Sequence, residues 1–189
     1  MVRIGIVGDI GSGKSFVANK FGYPVFNADQ EVSKLYKFDK KCFKKLNKVL
    51  PKHILSFPIT KKQIISAIIE NNINLKKIIK IIHPLIRKKM RRFLNKNKNK
   101  KVVILDIPLL LENKINTKKD IIVFVDSKKK EITKRLKKRD NFNLKLMNKF
   151  RKIQLPLEYK KKKSQFVIRN NFSKTFLKKD INRVLETIL

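Results

Sequence analysis

Apolar residues fall in two rhythms along the chain. Five short runs rich in Val and Ile, at 3–7, 23–27, 101–106, 121–126 and 165–169, are too compact for helices and read as strands. Helical spacing fills most of the intervals between them, so the assembly this predicts is an α/β doubly wound fold: five parallel strands with helices on both faces. The first crossover is short, a helix over 14–21 that Gly22 and Pro24 bring to a stop.

The connection from the second strand to the third exceeds seventy residues, too long to be a plain loop. Ile64, Ile65, Ile68 and Ile69 recur at helical spacing, as do Ile78, Ile79, Ile82 and Ile86. This stretch is therefore a helical insertion, broken by Pro51 and Pro58, with a polar turn at 95–101 leading back to the sheet. After the fourth strand, 130–163 carries a second helical pair, split near 140–143 and again at Pro156.

Composition adds limits. Apolar residues are 42% of the 189, but no run nears the roughly 20 needed to cross a bilayer, so no membrane span is expected. Residues 3–7 lead straight into a glycine loop with no cleavage-site pattern, and Cys42 is the single cysteine, which excludes an internal disulfide. A cytoplasmic protein is the expectation. With 49 Lys and Arg against 14 Asp and Glu, the formal charge is +35. That charge attracts polyanions and makes a nucleic-acid-associated ATPase a competing reading. Lysine, however, far outnumbers arginine, and neither zinc spacing nor an RNA-recognition aromatic signature is present, so nucleic-acid binding is expected to be nonspecific if it occurs.

The chemistry begins at Gly8-Asp9-Ile10-Gly11-Ser12-Gly13-Lys14-Ser15, which satisfies G-x-x-x-x-G-K-[ST] at every fixed position, directly after a strand and before a helix. Backbone N–H groups of such a loop curl around a β-phosphate. Lys14 reaches the β- and γ-phosphates, and the Ser15 hydroxyl ligates the Mg²⁺ of Mg·ATP. Ligands of a parallel sheet collect beyond the carboxyl ends of its strands, which draws attention to Asp29 and Asp106. Asp29 either accepts the proton of an acceptor hydroxyl or caps a helix beginning at Gln30. Asp106 either approaches Mg²⁺, commonly through water, or ends its strand as a turn residue. Asp126, with Ser127 behind it, reads as a helix start.

Over essentially its whole length the sequence resembles the dephospho-CoA kinase family. The resemblance rests on the phosphate loop, Asn27-Ala28-Asp29, His83-Pro84-Leu85-Ile86 and Asp106-Ile107-Pro108-Leu109-Leu110-Leu111-Glu112. It extends to Lys134-Arg135 with Arg139-Asp140, Gln154-Leu155-Pro156, and 166–168 followed by Asn170. It implies transfer of the ATP γ-phosphate to the ribose 3′-hydroxyl of dephospho-CoA; a single domain acting as a monomer is the separate expectation. The implied division is a nucleotide core (1–29, 101–130 and 164–189), a substrate-binding insertion (30–100) and a lid (131–163). On this mapping Asp29 is the base, and His83, Arg87 and Leu109 face the acceptor. Phe16 follows the loop at the ATP site, Arg135 and Arg139 clamp ATP from the lid, and Asn170 contacts the adenine.

His83 before Pro84 is equally a helix end, and Arg135 with Arg139 is equally a pair of solvated charges. The sequence departs from the family at Asn27, where Asp is usual, at Phe16, where Thr is common, and at Gln165, where an acid is usual. A related nucleoside or nucleotide kinase is the neighbouring alternative.

Overall fold

The computed structural model describes residues 1–138, 143–172 and 174–189. The chain divides into two units, Met1–Asn27 with Lys96–Leu189, and Ala28–Asn95.

In the first unit, β1 (Val2–Gly8) leads through the phosphate loop into α1 (Lys14–Lys20) and then β2 (Val25–Asn27). Further along the chain this unit adds β3 (Val102–Asp106), β4 (Ile121–Asp126) and β5 (Phe166–Arg169). The five strands form one parallel sheet in the order β2-β3-β1-β4-β5, as the apolar runs predict. Three predicted strands, 23–27, 101–106 and 165–169, begin before the observed ones, and a residue of each early stretch is tied to the sheet. Lys101 accepts from the Val2 N–H at 2.8 Å, Pro24 accepts from the Ile104 N–H at 2.9 Å, and the Gln165 N–H donates to Ile122 at 2.9 Å. Pro24 can only accept, having no N–H of its own.

Alternation along the strands separates two buried faces. Ile4, Ile6, Val102, Ile104, Val123, Val125 and Ile168 pack in one cluster with Val17, Ala18 and Phe21 of α1, and with Leu177, Ile181 and Val184 of α9 (Lys174–Ile188). Each Val, Leu, Ile or Phe side chain of this cluster, fully withdrawn from water, contributes about 1.5–3 kcal/mol before entropy is counted. On the opposite face Gly5 leaves room for Leu110: a Cβ at Gly5 would lie 2.4 Å from Leu110 Cδ2 and 3.0 Å from Ile122 Cδ1.

Among the described residues three helices, rather than a pair, stand between β4 and β5: α6 (Lys129–Lys137), α7 (Leu144–Lys152) and α8 (Leu157–Lys162). Lys160 is 1% exposed, with its ammonium 2.7 Å from the Glu112 carboxylate and 3.4 Å from Gln154 Oε1. Glu112 also accepts from the Leu155 N–H at 3.1 Å. A buried charge persists only when paired and hydrogen-bonded. Glu112 thus ties the loop after β3 to the turn that enters α8.

The second unit holds α2 (Ala28–Phe38), α3 (Lys40–Val49), α4 (Lys61–Glu70) and most of α5 (Asn72–Lys96). Asp39 caps α3 by accepting from the Cys42 N–H at 2.8 Å, and Thr60 with Gln63 forms a reciprocal capping box on α4. Pro84 does not end its helix. α5 runs through it, with Leu75, Ile78, Ile82, Ile86 and Met90 buried at helical spacing, and packing of that face outweighs the lost backbone bond. His53 is paired through Nε2 with Glu70 and lies 3.4 Å from the Ser66 hydroxyl through Nδ1.

Candidate active site

Parallel register brings Gly8, Asn27, Asp106, Asp126 and Arg169 to the same carboxyl edge of the sheet: Asn27 lies opposite Asp106, Gly8 opposite Val125 and Asp126 opposite Arg169. The phosphate loop begins there. Gly11 and Gly13 adopt φ of +86° and +87°, a region where side chains are rarely tolerated, and the chain curls on itself. Inside the curl the Ser12 N–H donates to the Asp9 carbonyl at 3.2 Å and the Ile10 N–H to Asp9 Oδ1 at 2.7 Å. The Lys14 ammonium donates to the Asp9 carbonyl at 2.7 Å and to that of Gly8 at 3.3 Å. These are neutral acceptors that a phosphate would outcompete. The Phe16 side chain is partly buried and packs against the hydrophobic core.

Asp106 is 3% exposed. Burial pushes its carboxyl above the usual carboxylate range, opposed by a hydrogen bond from Ser15, the charge of Lys14 and a hydrogen bond from Asn27. The Asn27 amide donates to Asp106 Oδ2 at 2.5 Å. Asn27, which from the sequence looks only like a missing carboxylate, is therefore a donor that fixes the neighbouring one.

Two further elements close on the loop. Asn170 is 2% exposed and donates from Nδ2 to the Ser12 carbonyl at 2.8 Å, while its Oδ1 accepts from the Phe172 N–H at 3.0 Å. Both ends of this amide are occupied within the protein. Ser127 donates its hydroxyl to the same Ser12 carbonyl at 2.9 Å. It does not cap a helix, since α6 starts from Lys128. The exposed guanidinium of Arg135 stacks 4.0 Å from the centroid of the Phe172 ring, a cation–π contact that holds a cation of α6 beside the loop following β5. Arg139 lies outside the described residues.

The remaining candidates are placed as follows. Leu109 is half-buried in the segment after β3, and its carbonyl accepts from the Asn113 N–H at 3.1 Å and the Asn113 side chain at 3.0 Å. In the second unit, Asp29 stands exposed in the first turn of α2, which begins at Ala28 rather than Gln30, so it is not the cap residue. His83 and Arg87 are four residues apart on α5, hence on one face. Burial, and then the Arg87 charge, holds the His83 imidazole below its ordinary pKa.

A glycine loop turning from the central strand of a β2-β3-β1-β4-β5 parallel sheet into a helix, with a lysine, a hydroxyl and a buried carboxylate gathered at its end, is the architecture of the P-loop kinases. A family model for dephospho-CoA kinase matches residues 2–175. The dephospho-CoA kinase of Wolbachia pipientis wMel is 32% identical over 190 residues, covering 98% of this chain and 97% of the relative. That of Rickettsia bellii is 32% identical over 191 residues, covering 100% and 98%. Among solved structures, TT1252 from Thermus thermophilus superposes with a TM-score of 0.78 at 25% identity, covering 100% of this chain and 98% of that one. Dephospho-CoA kinase from Campylobacter jejuni superposes with a TM-score of 0.65 at 23% identity, covering 98% and 96%. The chain belongs to the dephospho-CoA kinase family.

Sequence reasoning missed Ser127 and Phe172. Neither carries a local signal: Ser127 is 115 residues from its acceptor, and Phe172 is a lone aromatic with φ of +62°.

Proposed function

We propose that this protein transfers the γ-phosphate of ATP to the ribose 3′-hydroxyl of dephospho-CoA, the last step in making coenzyme A. The observation that carries the reading is the meeting of Ser15, Lys14 and buried Asp106 at the end of the phosphate loop, in a chain of this family.

Each residue has a separable task. Main-chain N–H groups of the loop from Gly8 to Ser15 bind the phosphates, apart from those of Ile10 and Ser12, which donate to Asp9, and Lys14 exchanges the carbonyls of Gly8 and Asp9 for phosphate oxygens. Asp29 accepts the proton of the acceptor hydroxyl as its oxygen attacks phosphorus in line with the departing ADP oxygen. His83, Arg87 and Leu109 orient the acceptor, while Arg135 and Arg139, in a lid spanning 131–163, neutralise the phosphates.

Hard oxygen donors at Ser15 and Asp106, already hydrogen-bonded to each other, suit Mg²⁺. Among the described residues no group of three His, Cys, Asp or Glu gathers, which fits a cation taking its other ligands from phosphate and water. When bound, that ion offsets charge on the transferring group. No helix of the described residues is long and apolar enough to cross a membrane, and we place the enzyme in the cytoplasm as a monomer.

The test is an acceptor panel with Mg·ATP. Phosphate appears on dephospho-CoA and not on adenosine or nucleoside monophosphates; the reverse pattern removes this assignment. Asp29→Asn should lower kcat by about 10²- to 10⁴-fold with ATP affinity unchanged, and near-normal turnover would take Asp29 out of the mechanism.

A further inference from the structure

The Ser12 carbonyl lies at the bottom of the phosphate loop, in a residue wholly shielded from solvent. Two donors from different elements converge on it: Asn170 Nδ2 at 2.8 Å from beyond β5, and Ser127 Oγ at 2.9 Å from beyond β4. Asn170 is itself locked. Its N–H donates to the Asp126 carbonyl at 2.7 Å and its Oδ1 accepts from the Phe172 N–H at 3.0 Å, which fixes which end of the amide faces Ser12. A carbonyl oxygen has two lone pairs, and here each has a donor.

The consequence falls on the next residue. In a trans peptide the C=O of one residue and the N–H of the following one share a plane and point in opposite directions. Holding the Ser12 C=O inward therefore turns the Gly13 N–H outward, to the concave side where an anion binds. Among the described residues no group accepts from that N–H. Gly13 sits close under the clamp: a Cβ there would lie 2.3 Å from Asn170 Nδ2.

We infer that Asn170 and Ser127 are positioning residues that fix the Ser12–Gly13 peptide plane and so aim the Gly13 N–H at the polyphosphate of the nucleotide. This rests on the ATP-site reading above, and it gives Asn170 a different task from contact with adenine. The clamp recognises phosphate, whichever base is attached.

The two tasks separate in binding measurements with ATP, GTP and tripolyphosphate on wild type, Asn170→Ala, Ser127→Ala and Ser127→Thr, each checked by thermal melting. Loss of either donor lowers affinity for all three probes alike, by about tenfold, the factor for a misdirected hydrogen bond to a charged group. The ATP-to-GTP ratio stays constant, and Ser127→Thr, which keeps the hydroxyl, binds as wild type does. Ser127→Ala conserves the local packing, so the test stands even if Asn170→Ala fails to fold. The inference is overturned if Ser127→Ala leaves tripolyphosphate affinity unchanged, or if Asn170→Ala alters the ATP-to-GTP ratio while sparing tripolyphosphate. Wild type that binds neither ATP nor tripolyphosphate overturns the nucleotide-site reading as well.

Discussion

His83 is the residue whose environment makes a pH-dependent statement about the fold. Burial and the neighbouring Arg87 charge both disfavour its protonated form, so its folded pKa lies below the value in the unfolded chain. Its stabilising contribution is complete above the unfolded pKa of about 6.5 and is lost as pH falls through the lowered folded value. His83→Asn should flatten the acid limb of a plot of Tm against pH and leave the neutral region little changed. Equal steepness in the two proteins would mean the imidazole does not titrate as described. Gly13 makes a complementary statement about conformation. With φ of +87° and Asn170 Nδ2 2.3 Å from the place a Cβ would occupy, Gly13→Ala should cost nucleotide affinity before it costs folding, measured by titration with ATP beside a thermal melt.

Among the elements, the segment after β3 and helix α8 depend on one buried ion pair. Removing Glu112 alone strands the Lys160 ammonium in a site 1% exposed, and Glu112→Leu should destabilise by about 3–5 kcal/mol in denaturant unfolding. The double variant Glu112→Leu with Lys160→Met should cost less than the sum of the two single changes. Strict additivity would mean the charges do not depend on each other. Legibility varied here for physical reasons. The strands stood out because a sheet covered on both faces demands unbroken Val and Ile. The length of α5 did not, because Pro84 is a local breaker whose effect is overcome only by packing of Ile78, Ile82, Ile86 and Met90. Lys160 was invisible inside Leu157–Lys162, where nothing local separates a buried lysine from exposed ones. In the site, the phosphate loop is contiguous and was read directly, whereas the clamp on Ser12 joins residues 115 and 158 positions apart and exists only once the sheet has formed.

Over the whole molecule the charge of +35 is the largest departure from an ordinary composition. Its physical effect on a kinase of anionic substrates is attraction at a distance, which salt screens over about 10 Å at 0.1 M. The ratio kcat/KM should therefore fall as ionic strength rises, with kcat nearly constant; a salt-independent ratio would make the charge a matter of composition alone. DNA or RNA should leave ATP turnover unchanged near physiological salt, in contrast to a nucleic-acid-stimulated ATPase. The most direct test of the account is the identity of the product formed from dephospho-CoA and Mg·ATP, read by mass spectrometry and phosphorus NMR. The predicted product carries one new phosphate monoester on the ribose 3′ oxygen, formed in step with ADP. ADP accumulating while dephospho-CoA stays unmodified, or a new ester at any other oxygen, would contradict it.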